Sequence, residues 1–408
     1  MSRITISRLA SAFAVTGLLA ACAEAPTTSS SPDSSQELAP QDAPAFSVGA
    51  AAQHIPGRFI ITLRPGVNAA AVAREHGVQP DFVYSAALNG FAGSIADAAR
   101  AGLLRDFRVE RVEQDGIATT QEVVQSGATW GLDRIDQTAR TLNGSFGYTA
   151  TGVGVTAYIL DTGIRPTHTE FTGRVRAGYS SISDKRGTTD CNGHGTHVAG
   201  TVGGTRYGVA KGVSLVPVRV LDCRGSGSWS GIIAGIDWII ANHTTGPAVA
   251  NMSLGGGANS TVDAAVKRLI ADGVATGVAA GNGDRRGRQL DACTHSPARV
   301  PEAMTIGATT TADAKTSWSN YGSCVDWFAP GSGITSAWYN SDAATNTISG
   351  TSMSTPHTVG VAALYLQGNP GASPATVRTA LFNATTKGIV TSSSTSNNHL
   401  LYKFLSQF

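Results

Sequence analysis

Charge is what this sequence has least of. Asp, Glu, Lys and Arg make up 14% of its 408 residues, against roughly 25% in an average soluble chain, and the net balance is only +2. No long basic run occurs, so neither nucleic acid nor an acidic membrane surface is expected as the main partner. Long apolar runs are missing too. The stretch from Leu9 to Ala21, behind Arg3 and Arg8, is too short to span a bilayer and reads as an export signal over residues 1–22. Cysteine is sparse, with five residues, and an odd number leaves one outside any set of pairs. Glycine is plentiful at 48 residues, which suits a secreted, small-residue protein. The length allows roughly two to three domains and a sizeable core.

The odd cysteine is Cys22. Leu19-Ala20-Ala21-Cys22 reads as a bacterial lipobox, in which Cys22 would be lipidated; the alternative is an ordinary signal with a chance cysteine. Export to an oxidising compartment then favours disulfides among Cys191, Cys223, Cys293 and Cys324, which allow three pairings. Residues 23–54, rich in Ala, Ser, Thr, Pro and Gln, read as a disordered tether. Over 55–120 the pattern is strand (Arg58 to Leu63), helix (Ala69 to His76), two strands around Asn89-Gly90 (Phe82 to Ile95), helix (Ala96 to Arg105) and strand (Val109 to Ile117). This βαββαβ order is a small ferredoxin-like α+β layout.

Beyond Trp130 short apolar strands alternate with helices. Val153 to Leu160, Leu215 to Leu221, Val249 to Leu254 and Val274 to Ala279 read as strands, with helices at Ser228 to Ala241 and Thr261 to Ala271. The pattern predicts a doubly wound parallel α/β sheet, whose ligand sites lie past the carboxyl ends of the strands. Asp161 and Asn282 follow predicted strands, and Ser253 lies at the end of one.

Three stretches carry the chemistry: Asp161-Thr162-Gly163, Asn192-Gly193-His194-Gly195-Thr196-His197 and Gly350-Thr351-Ser352-Met353. They supply a nucleophile, a base and a carboxylate to orient the base, the requirements of acyl transfer through a covalent serine intermediate. Ser352 precedes the helix-like run Thr355 to Leu366, so its Oγ should sit at a helix N-terminus, where developing negative charge is favoured. The order Asp, His, Ser differs from that of chymotrypsin-like chains and α/β-hydrolases. With the flanking words Tyr158-Ile159-Leu160, Val198-Ala199-Gly200-Thr201 and Ser354-Thr355-Pro356-His357, the chain from about Trp130 to Phe408 resembles the subtilisin family. Trp130-Gly131-Leu132-Asp133-Arg134-Ile135-Asp136, Tyr207-Gly208-Val209-Ala210 and Ser317-Trp318-Ser319-Asn320-Tyr321-Gly322 resemble its proteinase K branch, of the bacterial aqualysin type.

The resemblance implies a secreted serine endopeptidase of broad specificity, with residues 121–408 as a subtilisin-like catalytic domain and 55–120 as an inhibitory propeptide. It implies maturation by self-cleavage between about Ile117 and Gln121, with protein or peptide substrates and the chain's own propeptide as partners. A monomer is expected, with the precursor transiently membrane-anchored if Cys22 is lipidated. Asn282 matches the family's oxyanion donor, and its bland alternative is a turn asparagine. Ser253, Leu254 and Gly255 would form one wall of the substrate pocket, with Ala280 and Gly281 opposite and Gly225, Ser226 and Gly227 as a second substrate-flanking strand. Trp229 is read equally well as packing. The branch implies the pairings Cys191 with Cys223 and Cys293 with Cys324, each worth about 3.5 kcal/mol by loop-closure entropy.

Structural Ca²⁺ is the implied cofactor, with none needed for catalysis. Asp133, Asp136 and Gln137, at i, i+3 and i+4, could turn oxygens to one cation. The branch implies a second site at Asp326 with the carbonyls of Pro301 and Ala303. Where it usually has Ala and Val-Ala-Gly, this chain has Ser354 and Thr358-Val359-Gly360. Three other readings were weighed. Zinc on Cys191, His194, His197 and Cys223 leaves Asp161 and Ser352 without a role. A catalytically inert scaffold leaves an intact triad unexplained, and an esterase leaves the extended substrate segments unused.

Overall fold

The computed structural model describes residues 45–47, 54–116 and 123–403. The export signal, Cys22 and the segment Ile117 to Gln121 lie outside the described residues. The chain divides into two compact units, Met1–Thr119 and Thr120–Phe408.

The first unit holds β1 (Ala45–Ser47), β2 (His54–Leu63), α1 (Ala69–Glu75), β3 (Phe82–Tyr84), β4 (Gly90–Ser94), α2 (Asp97–Leu103) and β5 (Val109–Gly116). The sheet order is β1-β5-β2-β4-β3, antiparallel except for β1 beside β5. Leaving β1 aside, this is the ferredoxin-like arrangement expected from the pattern. The strand β1 was not expected: it falls in the stretch read as a tether, and it pairs through main-chain groups that composition does not report. Phe59, Ile61, Leu63, Val72, Phe91, Leu103, Val109 and Val112 form this unit's own core.

The second unit begins with β6 (Val123–Ser126), α3 (Trp130–Ile135) and β7 (Ser145–Tyr148), β6 pairing with β7. Then follow β8 (Thr156–Asp161), β9 (Tyr179–Ser180), α4 (His194–Gly203), β10 (Ser214–Arg219), α5 (Trp229–Asn242), β11 (Ala248–Met252), β12 (Gly256–Gly257), α6 (Ser260–Ala271) and β13 (Val274–Ala279). The chain ends with β14 (His295–Ser296), β15 (Met304–Thr309), β16 (Trp327–Pro330), β17 (Ile334–Ala337), β18 (Thr345–Ile348), α7 (Thr351–Gly368) and α8 (Pro374–Ala384). Seven strands form one parallel sheet in the order β16-β15-β13-β11-β8-β10-β9. The direction of winding reverses at β8, so a crevice opens at its carboxyl end. Asp161 is the last residue of that strand.

Both faces of the sheet are buried, which is why its strands read as nearly continuous apolar runs. Along β8 the side chains alternate between two cores. Ala157 and Ile159 join the cluster containing Val198, Val202, Val359 and Ala363, from α4 and α7. Tyr158 and Leu160 join Ile232, Ile236, Val266 and Leu269, from α5 and α6. Helix α7 is buried along most of its length, its polar first turns included. Among the described residues no helix is long and apolar enough to cross a membrane.

Candidate active site

Asp161, His194, Ser352 and Asn282 come from four separate parts of the second unit: Asp161 ends β8, His194 opens α4, Asn282 follows β13 and Ser352 lies in α7. Asp161 is fully buried, and its two carboxylate oxygens lie 2.8 and 2.9 Å from His194 Nδ1. That contact puts the proton on Nδ1 and leaves Nε2 as the basic nitrogen. His194 opens α4, and the residue before it, Gly193, has φ +112°. A Cβ there would come within 2.5 Å of the Trp338 ring, so both backbone and space require glycine. Burial works against a charge on His194, but the carboxylate of Asp161, with Asp190 beyond it, outweighs burial and raises the imidazole pKa above its usual value.

Ser352 lies in the first turn of α7 rather than before the helix, which starts four residues earlier than the apolar run suggested. Its N–H has no carbonyl four residues back within the helix. Pro356 adds a second consequence. Lacking an N–H, it cannot bond the Ser352 carbonyl, and that carbonyl accepts from Ser253 Oγ at 2.8 Å instead. Ser352 Oγ donates to the Ser253 carbonyl at 3.2 Å. Transfer of that proton to any base would require Oγ to leave the carbonyl.

Asn282 is held through its oxygen. Oδ1 accepts from the Thr351 N–H at 2.8 Å and from Thr351 Oγ1 at 2.9 Å, which identifies Nδ2 as the atom free to donate. A cleft of about 300 Å³ contains Asn282 and Ser352, with Ala279, Ala280 and Gly281 along one side. The loop is clamped from beneath by Asn320, a buried residue that sequence reasoning placed only within a family word. Asn320 Nδ2 donates to the Ala280 carbonyl at 2.9 Å, and its Oδ1 accepts from Gly283 and Leu290 at 3.0 and 2.9 Å.

A second cleft of about 570 Å³ is lined by His194, Gly225, Ser226, Gly227, Trp229, Ser253, Leu254 and Gly255. The two expected substrate segments therefore flank one groove that ends at His194. The Ser226 N–H and carbonyl are both spent on Asp222, at 3.0 and 2.8 Å, so Ser226 lines the cleft while closing its own turn. Gly256 and Gly257 pair with Ser296 and His295, which makes that wall a braced strand. Trp229 does both things proposed for it, lining the cleft and lying against Gly256.

Both disulfides implied by the resemblance are present, Cys191–Cys223 and Cys293–Cys324, with Cα separations of 5.0 and 5.3 Å. The zinc alternative is thereby excluded, because disulfide sulfurs are not thiolate ligands. His197 is fully buried and its Nε2 faces the Ile334 carbonyl at 3.0 Å; burial lowers its pKa to about 4. The departures from the family pattern have partners as well. Thr358 Oγ1 accepts from the buried Trp327 indole at 3.1 Å, and Ser354 Oγ donates to the Ala329 carbonyl at 3.0 Å.

The side chains of Asp133 and Gln137 turn to the loop that follows α3, and that of Asp136 to β7. Asp133 accepts from the N–H groups of Asn143 and Gly144 at 3.2 and 2.6 Å, and Asp136 from that of Gly147 at 2.8 Å. The Gln137 amide meets the carbonyls of Ala139 and Thr141. Carboxylates and amide oxygens are the hard donors that calcium takes, so the donor types suit the ion, which would have to replace the N–H groups now bonded to both oxygens of Asp133. At Asp326 the fit fails. One oxygen accepts from the Thr305 N–H at 2.8 Å and the other pairs with Arg378, so a guanidinium already supplies the positive charge. Pro301 and Ala303 lie just ahead of β15, the strand that carries Thr305. Burial raises the Asp326 pKa in spite of that partner.

A buried carboxylate paired with a histidine that lines one glycine-bearing cleft, with a serine in the first turn of a helix lining the adjoining one, is the arrangement of a serine hydrolase. The chain belongs to the Subtilase family, whose profile (Peptidase_S8) matches residues 152–401, and it is a serine endopeptidase with a subtilisin-like fold. It is 50% identical to the extracellular serine proteinase of Thermus sp. (strain Rt41A), over 94% of this chain and 96% of that one. It is 49% identical to alkaline serine exoprotease A of Vibrio alginolyticus, over 80% of this chain and 61% of the relative. The crystal structure of a cold adapted subtilisin-like serine proteinase matches with 51% identity and a TM-score of 0.66, over 69% of this chain and all of the other.

Proposed function

We propose that the protein is a secreted, broad-specificity endopeptidase that works through Asp161, His194 and Ser352 and matures by cutting its own chain between about Ile117 and Gln121. The observation that carries this is the Asp161–His194 pair, 2.8 Å apart, set in one groove system with Ser352 and the free amide of Asn282. His194 Nε2 takes the Ser352 proton as Oγ attacks the scissile carbonyl, and Asp161 stabilises the imidazolium that results. The carbonyl oxygen becomes an oxyanion, held by Asn282 Nδ2 and the Ser352 N–H at the positive end of α7. His194 then protonates the leaving amine, and water hydrolyses the acyl-enzyme by the same steps in reverse order.

Length of groove favours peptides over simple esters. Gly225 to Gly227 and Ser253 to Gly255 offer two flanking segments to an extended chain, and remote binding of this kind raises turnover only for a substrate long enough to use it. No carboxylate lines the cleft of Ala279, Ala280 and Gly281, which supports tolerance for apolar and aromatic side chains there.

In the proposed precursor the first unit is the inhibitory propeptide, and the names of the extracellular relatives support export. Lipidation of Cys22 would anchor only the precursor, since the anchor leaves with the propeptide; mature enzyme found in the membrane fraction would contradict this. Calcium would be held by Asp133, Asp136 and Gln137, stabilising the loop after α3 and taking no part in the chemistry. At Asp326 it would have to displace Arg378.

The test compares the full chain with its Ser352→Ala variant by intact mass, N-terminal sequencing and casein hydrolysis. Wild type shortening to a start near Ile117 to Gln121 and cleaving casein, with the variant doing neither, is the expected result. Equal processing of both would overturn self-cleavage, and casein hydrolysis by the variant would overturn the role of Ser352.

A further inference from the structure

A second carboxylate, Asp190, is buried beside the catalytic pair, only 5% exposed. Its Oδ1 accepts from Thr162 Oγ1 at 2.9 Å and from the N–H groups of Asn192 and Gly193 at 2.9 and 3.0 Å. Its Oδ2 accepts from the Thr196 N–H at 2.9 Å and from Thr196 Oγ1 at 2.6 Å. Thr162 directly follows Asp161, and its Oγ1 also accepts from the Gly195 N–H at 2.8 Å. The donors thus lie on both sides of His194 in the chain and next to Asp161 at the end of β8. One carboxylate ties together the two segments that carry the acid–base pair.

Both oxygens of Asp190 face only donors. This carboxylate lies next to the first turn of α4, which presents the catalytic imidazole.

We propose that Asp190 is a positioning residue for peptide-bond hydrolysis: it sets the register between Asp161 and His194, and its charge favours the imidazolium formed in the transition state. The proposal rests on the reading of Asp161, His194 and Ser352 as the catalytic residues. The groups that act on His194 are Asp161 from β8, Asp190 from the loop before α4, and His197 one turn along α4, which burial keeps neutral above a pKa of about 4. Arg224 lines the same cleft from its exposed rim.

The test uses the full chain, with reactive serine titrated by a fluorophosphonate so that rates refer to competent sites. Asp190→Asn keeps the shape and removes the charge. Its kcat should fall by about tenfold or more, since small misplacements at a reacting centre are costly, with KM little changed. The acid limb of its kcat/KM profile should move to lower pH, because the imidazolium has lost an attractive charge. Thr196→Val keeps the charge and removes one hydrogen bond; kcat should fall while the acid limb stays in place. An Asp190→Asn enzyme with wild-type kcat, or with an unmoved acid limb per competent site, overturns the proposal. Should that variant fail to fold, Thr162→Val and Thr196→Val decide it, and wild-type kcat in both would sink the positioning role. Failure of the underlying triad reading looks different, because Ser352→Ala would then remain active in the same assay.

Discussion

Replacing Thr351 by valine removes one oxygen from beneath the oxyanion site without changing the volume of the side chain. Thr351 is fully buried, so nothing from solvent can stand in for that oxygen. Its Oγ1 donates to Asn282 Oδ1 at 2.9 Å and accepts from the Gly281 N–H at 3.1 Å. Asn282 keeps the second bond, from the Thr351 N–H at 2.8 Å. The amide therefore loses about half of its restraint, and one hydrogen bond is worth about 1 kcal/mol net. That corresponds to roughly a fivefold loss of kcat on a peptide anilide with KM little altered, since Nδ2 matters most when the oxyanion forms. The Gly281 N–H, half-buried and left without its acceptor, costs about 1 kcal/mol of stability. A double-mutant cycle separates the two effects. Asn282→Ala alone should lower kcat by about 10²- to 10³-fold, as donor removal does in subtilisin. In that background Thr351→Val should cost almost nothing further in kcat while still lowering the melting temperature. Equal kcat losses in both backgrounds would refute the claim that Thr351 acts through Asn282.

Other outcomes follow from the same contacts. Because Asp161 raises the His194 pKa and the neutral imidazole is the active form, activity should fall with decreasing pH through a midpoint above the unperturbed value of about 6.5; a midpoint below 6 in a kcat/KM profile would contradict the pairing. His197 and His357 are held near 4 by burial, below their unfolded value, so the unfolded chain takes up more protons between pH 6.5 and 4. Stability should be lost as pH falls through that window, by about 3 kcal/mol per histidine once below it, and a melting temperature flat across the window in inhibitor-blocked enzyme would refute this. Arg134 is fully buried and forked onto Asp313 at 2.8 and 3.1 Å; Asp313→Ala should cost about 3–5 kcal/mol by urea unfolding because it strands a charge, and a loss below about 1 kcal/mol would argue against that pairing. Gly281 has φ +103° and faces Asn320, so Gly281→Ala should depress kcat and stability together; a fully active, stable variant would show that the loop can relax.

Much of the site could be read along the chain because the chemistry needs rare combinations. A histidine between Gly193 and Gly195, a serine after a glycine-bearing turn and an aspartate closing an apolar strand are each marked by their neighbours. The strands were legible from their apolar runs and the helices from their period, although α7 begins earlier than its run suggested because its first turn is polar. What escaped notice were groups whose work is to hold others. Asp190 sits among polar residues in a loop and has no periodicity to betray it. Asn320 appeared only as a letter in a family word, yet it clamps the loop that carries Asn282. Arg378 lies on the last helix, 52 residues from Asp326, and no local pattern announces that a guanidinium meets that carboxylate. The strand Ala45–Ser47 was hidden because main-chain pairing leaves little trace in composition.

The sequence by itself determined the class of fold, the family to which the chain belongs, and the residues proposed as nucleophile, base and orienting carboxylate. These follow from local causes: side-chain alternation, turn residues, and the reactivity of particular groups. Tertiary structure alone decided that Asn282 Oδ1 is occupied and its Nδ2 left to donate, which carboxylates already accept from N–H groups or arginine, and that Pro356 frees the Ser352 carbonyl for Ser253. Those outcomes depend on distances between residues far apart in the chain, and such distances exist only once the sheet has brought the ends of β8, β11 and β13 together.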